Sequence, residues 1–150
     1  MQINRLYCAA GICAIAPVRI LKERKRGVVN QTRKPLLPGY VMIFSDECVR
    51  PSMLRPVDNV IGLLCYPGGE YELKGGDLAY ANFIYGNRGV IGVSDILCEG
   101  KEVKVISGPL AECEGTIVRL DQRKQRVWMR IWFDGVEREI SLSANILSAI

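Results

Sequence analysis

The pair Asp134-Gly135, set between two runs that alternate apolar and polar residues, constrains this chain more than any other feature. Both residues tolerate positive φ, so a two-residue hairpin turn forms there and fixes the register of the strands it joins. Pairing Phe133 with Val136 continues as Trp132 with Glu137, Ile131 with Arg138, Arg130 with Glu139, Met129 with Ile140, Trp128 with Ser141 and Val127 with Leu142. One face then carries Val127, Met129, Ile131, Phe133, Val136, Ile140 and Leu142, and is the expected core. The other carries Arg126, Trp128, Arg130 and Trp132. Arg138 falls on the apolar face, where strand splay near a barrel edge is the one local account of it.

Two further strands precede this hairpin. Residues 102–106 alternate and are closed by Ser107-Gly108-Pro109, and residues 115–120 end in a polar tip, Asp121-Gln122-Arg123-Lys124-Gln125. Four or five short antiparallel strands within about 50 residues cannot leave both faces and both edges open, so they are expected to curl into a small all-β barrel of SH3-like size.

The first two-thirds of the chain are more mixed. Residues 6–10 followed by Gly11 read as a helix end with a glycine cap. Residues 12–21 are apolar but interrupted by Pro17, which predicts an edge or irregular strand. A strand is expected over 40–44, a short helix over 46–55, a strand over 60–65 and a turn at Gly68-Gly69. A helix over 77–85 would present Leu78, Ala81 and Tyr85 on one face. This order predicts an α+β sandwich over residues 1–88, a linker over 89–98 and the barrel over 99–150.

Composition narrows the function classes. The chain of 150 residues has 49% apolar and 24% charged residues, the balance of a globular protein. It has no uncharged apolar run of membrane-spanning length, and Met1-Gln2-Ile3-Asn4-Arg5 lacks the apolar segment of a signal peptide; the expected location is cytoplasmic, without membrane contact. Six cysteines, at 8, 13, 48, 65, 98 and 113, form no C-x-x-C pair and there is no histidine, so neither metal nor cofactor is expected and the cysteines read as buried or half-buried thiols. Lack of histidine removes the commonest general base, and no G-x-S-x-G or phosphate-loop motif is present. The enzymatic reading has no constellation behind it.

Charge is concentrated in two segments. Residues 19–34 carry seven cations (Arg19, Lys22, Arg24, Lys25, Arg26, Arg33, Lys34) against Glu23, and residues 119–130 carry five (Arg119, Arg123, Lys124, Arg126, Arg130) against Asp121. Each is either a solvated strand face or a polyanion contact.

Two motifs, in this order, resemble a known family. Lys34-Pro35-Leu36-Leu37-Pro38-Gly39-Tyr40-Val41 resembles the proline-glycine-tyrosine strand entry of NusG N-terminal (NGN) domains. Gly108-Pro109-Leu110-Ala111-Glu112-Cys113-Glu114-Gly115-Thr116-Ile117, continued by residues 121–126, resembles the KOW motif. The Asp121 to Arg126 tip and the Gly108-Pro109-Leu110 turn look most like the LoaP-type paralogues. The family's N-terminal domain opens with a strand and a full helix, and this chain begins near the end of that helix, so the resemblance implies a shortened NGN-like domain followed by a KOW barrel.

What the resemblance implies is a monomeric transcription elongation or antitermination factor of the bacterial cytoplasm. One domain would dock on the clamp helices of RNA polymerase, with Leu36, Leu37 and Tyr40 as the docking residues; core packing is the competing reading for Tyr40. The basic loop Lys22, Arg24, Lys25 and Arg26 would lie near nucleic acid, or be an ordinary charged hairpin tip. The KOW barrel would hold an RNA hairpin through Arg119, Arg123, Lys124, Arg126 and Arg130. General NusG factors instead bind a ribosomal protein or termination factor through this barrel, and a ribosomal KOW protein would be far more basic than +4. Trp128 and Trp132 are open to two roles, stacking on unpaired bases or packing under residues 145–150. Glu139 opposite Arg130 and Glu137 opposite Trp132 partly neutralise that face and favour packing.

Overall fold

The computed structural model describes residues 7–9, 12–53, 60–113 and 115–148. About half of these lie in strands, the sheets are curled, and one α-helix is found among the described residues. A three-stranded sheet has the order β1 (Tyr7–Ala9), β2 (Ile12–Ile15), β5 (Met42–Ser45). A second has the order β4 (Val28–Pro35), β3 (Val18–Lys25), β6 (Val90–Ile91). The largest is five-stranded: β8 (Glu102–Ser107), β7 (Ser94–Glu99), β11 (Val136–Ser148), β10 (Arg126–Phe133), β9 (Thr116–Asp121). The helix, α1, spans Gly75–Gly86.

The C-terminal hairpin has the register expected from its turn, from Phe133 with Val136 through Val127 with Leu142 and on to Arg126 with Ser143. Asp134 and Gly135 both take positive φ, 54° and 68°. Val127, Met129, Ile131, Phe133, Ile140 and Leu142 are buried as the alternation requires. Val136 is not: it is 51% exposed, although its register partner Phe133 is buried. Arg138 finds its reason across the molecule, where its Nη2 donates to the Tyr40 hydroxyl at 3.3 Å and its guanidinium lies 5.2 Å from the Tyr40 ring centroid. A hydrogen bond and a cation–π contact account for a cation on an apolar face.

Several expectations in the first two-thirds are corrected. Of the two expectations at Pro17, the edge strand is not found and the irregularity is. Pro17 separates two strands that are each the middle member of a sheet, β2 and β3, and its carbonyl accepts Leu36 N–H at 2.9 Å. Tyr7–Ala9, expected to end a helix, is a strand paired with β2; Leu6, Ala10 and Gly11 lie outside the described residues. Residues 60–65 form no strand, and Ile61 and Leu64 point to solvent. A 3-10 turn at Pro51–Met53 stands where a helix was expected over 46–55, of which 54 and 55 are not described. The helix is present, but its buried residues are Tyr80, Ala81, Phe83 and Ile84, with Leu78 and Tyr85 exposed. Apolar residues line more than one side of this helix, so of the face chosen by periodicity only Ala81 is buried.

Residues 89–98, expected as a linker, contribute to two sheets. Val90 and Ile91 pair in parallel with Val18 and Arg19, and Ser94 to Cys98 pair in parallel with Ala144 to Ser148. Ile91 and Ile96 are fully buried, so the short apolar run interrupted by glycines is an interior feature. One apolar cluster accordingly takes in Leu36, Tyr80 and Ile84 together with Val127, Ile131 and Phe133. Tyr40 and Tyr80 both meet the Phe133 ring, at centroid distances of 6.0 and 5.7 Å. Burial raises the Tyr80 hydroxyl well above its ordinary pKa.

The cysteines also depart from a set of six buried or half-buried thiols. Cys13 is disulfide-bonded, and Cys48 and Cys65 are exposed. No helix among the described residues is long and apolar enough to cross a membrane.

Candidate nucleic-acid interface

The cationic residues sit on two hairpins, each ordered by its own turn. In the first, β3 and β4 pair from Val18 with Pro35 to Lys25 with Val28, and Arg26 and Gly27 turn the chain with φ of 51° and 78°. Arg24, Lys25 and Arg26 are exposed at this tip. Lys22 is half-buried and committed elsewhere: its Nζ donates to Asn145 Oδ1 at 3.0 Å and its backbone N–H donates to Ser143 Oγ at 2.8 Å. Of the four residues expected in the basic loop, three form a free tip and Lys22 fastens the hairpin to β11.

In the second, residues 122–125 join β9 to β10. Lys124 N–H donates to Asp121 Oδ1 at 2.9 Å, closing an Asx-type turn. Gln125, with φ of 51°, ties the tip to the bend of β11: its carbonyl accepts Ala144 N–H at 3.0 Å and its Oε1 accepts Ile146 N–H at 2.7 Å. Arg123 and Lys124 therefore project from a backbone held on both sides, and both are exposed. Preorganisation of this kind lowers the entropy lost on binding.

The other three proposed RNA contacts have distinct settings. Arg119 stands opposite Trp128, just before the β9–β10 register shifts between Trp128 and Met129, and its guanidinium lies 3.8 Å from the indole centroid. That cation covers the Trp128 ring, leaving the arginine exposed and the indole half-buried. Arg130 makes an ion pair with Glu137, which is diagonal to it across the hairpin. Arg126 is half-buried and stands opposite Ser143 on one side and Asp121 on the other. Trp132 is 63% exposed, because residues 144–148 pair along β7 instead of folding over it. It borders a cleft of about 210 Å³ with Tyr80, Thr116 and Arg130.

The docking residues are corrected. Leu36 and Leu37, at 6% and 2% exposure, follow Pro35 into the core, where Leu36 lies with Tyr80, Phe83 and Ile131. Side chains buried this deeply offer no surface to a partner. Tyr40 is half-buried, edge-on to Phe133 and bonded to Arg138, which is the core-packing arrangement.

The turn between β8 and β9 has its own constraint. Gly108 has φ of 95°, and a Cβ there would lie 2.6 Å from Ser94 Cα. Only glycine fits both demands. The close approach lets the buried Ser94 hydroxyl accept Leu110 N–H at 3.0 Å, which seats Leu110 in the core.

Sequence reasoning counted Arg19 among the cations of residues 19–34 but missed what it bonds. Its Nη1 donates to both the carbonyl and, at 2.6 Å, the hydroxyl of Ser141. Burial, and then the positive charge of Arg126, push its guanidinium below the ordinary value. Its partners lie more than a hundred residues further along the chain, so no local pattern carries the signal. No family model matches the chain, and no curated protein matches it significantly.

Proposed function

We propose that this chain is a non-enzymatic adaptor of transcription that holds RNA on the cationic tip between β9 and β10 while its N-terminal part rides RNA polymerase. The observation that carries the RNA half is the geometry of that tip. Arg123 and Lys124 stand exposed on a turn braced by Asp121 and Gln125, with Arg119 beside them on the same strand pair. Cations on a braced turn neutralise phosphates at low entropic cost, contributing affinity with little sequence reading. The polymerase half rests on the likeness of residues 34–41 to the NGN strand entry, with Leu36 and Leu37 assigned to the core. The KOW reading of the five-stranded sheet rests on the likeness of residues 108–117. Joining two weak contacts in one chain raises the effective concentration of each.

The test is a filter-binding titration of fluorescein-labelled oligouridine and of a labelled RNA hairpin over a range of salt. Replacing Arg123 and Lys124 with alanine is expected to weaken both and to reduce the slope of log affinity against log salt by about 1 to 2. Unchanged affinity and slope would remove the tip from the site. Capture of a ribosomal protein without RNA binding would favour the general NusG reading.

A further inference from the structure

The two basic segments, separate in the chain, meet in space along β11. Its Ser141 and Ser143 project on the same side, two residues apart. Arg19 on β3 bonds Ser141, and the backbone N–H of Lys22 bonds Ser143. Across the β10–β11 ladder, Ser143 is the register partner of Arg126. Arg19 and Arg126 thus approach one another from opposite sides of a pair of serines.

Neither guanidinium forms an ion pair with a carboxylate among the described residues. The nearby acids are bonded elsewhere: Glu23, which also feels the charge of Arg126, pairs with Lys34 Nζ at 3.0 Å, and Asp121, the register partner of Arg126 on β9, accepts from the Lys124 backbone. Each arginine also has a buried Nε with no hydrogen-bond partner. Two like charges partly withdrawn from water repel one another, and with no carboxylate among the described residues in direct contact with either fork that repulsion is only partly offset. Such a pair is matched by an oxyanion with several acceptor atoms that both forks can share.

We infer that Arg19 and Arg126 together form a phosphate site at the junction of the β3–β4 hairpin and the β10–β11 face, and that its occupant is a backbone phosphate of the bound RNA. The RNA source rests on the function proposed above; the site itself rests on the geometry. Its position links the two exposed tips into one cationic track, from Arg24 to Arg26 on one hairpin, through Arg19 and Arg126, to Arg123 and Lys124 on the other. RNA would then lie across both parts of the chain, and the hairpin would contribute to binding that the KOW barrel was expected to carry alone.

Arg19→Gln, Arg126→Gln, the double variant and Arg126→Lys test this in the full chain. Each single Gln variant is expected to weaken oligouridine binding roughly tenfold, as loss of a charge-assisted contact does. The double variant should lose less than the product of the two, since both forks hold one group. Arg126→Lys should recover part of the loss. A second readout separates binding from folding: in phosphate-free buffer Arg126→Gln should melt at or above the wild-type temperature, because a repulsion is relieved, and adding inorganic phosphate should reverse that order. Strictly multiplicative losses, or equal phosphate stabilisation of wild type and Arg126→Gln, would overturn the shared site. If Arg123→Ala/Lys124→Ala abolishes RNA binding while the Gln variants bind normally, the proposed function stands and this site falls. If wild type binds no oligouridine but phosphate still stabilises it through Arg126, the RNA reading falls and the anion site stands.

Discussion

The β3–β4 and β10–β11 hairpins are built by the same local chemistry and held by opposite means. Both turn on a positive-φ residue followed by glycine, and both pair eight residues or more in an unbroken antiparallel register. Yet β10 alternates buried and exposed residues along its length, whereas β4 has no buried residue and β3 has one fully buried side chain, Leu21. The first hairpin is attached by polar bonds from Arg19 and Lys22 to Ser141, Ser143 and Asn145. Turn residues fix register, but what a hairpin faces decides where its stability comes from.

That contrast can be broken or sharpened by substitution. The largest effect is expected for Phe133→Ala, which removes a ring 4% exposed and in contact with Tyr40 and Tyr80, and should destabilise the protein by about 3 to 5 kcal/mol in urea unfolding. An intermediate effect is expected for Ser143→Ala. Strand β3 is paired with β6 only at Val18 and Arg19, and beyond that the Ser143 hydroxyl takes over as acceptor for the edge at Lys22. Its loss leaves a backbone N–H without that partner and should cost about 1 to 2 kcal/mol, with faster amide exchange in β3 than in β10. Val29→Ala, at a side chain 53% exposed on β4, should change stability by no more than about 0.5 kcal/mol. A Val29 effect as large as that of Phe133 would mean that the first hairpin is anchored by apolar burial after all.

The same contrast explains what was legible in the sequence. From 102 to 142 the strands, turns and register could be read because each residue's environment is set by a neighbour across a short turn and by a strict alternation. The N-terminal part offered less. Residues 12–21 are apolar without alternation because Pro17 divides them between two sheets, and the partners of β3 include residues 90–91, far along the chain. Leu36 and Leu37 carried a motif likeness, but whether a leucine faces core or partner depends on packing that no local pattern encodes. Arg123 and Lys124 were found as a charged tip, while the pairing of Arg19 with Arg126 required three dimensions.

Strand β11 changes partners midway, running antiparallel to β10 up to Ser143 and parallel to β7 from Ala144 to Ser148. Its second half therefore joins residues about fifty positions apart, the slow kind of contact in folding, after a hairpin that closes locally and fast. During synthesis, β7 and β8 emerge early and wait with an open edge until Ala144 to Ser148 have left the ribosome. Contact order therefore favours closing the β10–β11 hairpin first, with the five residues after it, Ala144 to Ser148, completing the sheet as a latch.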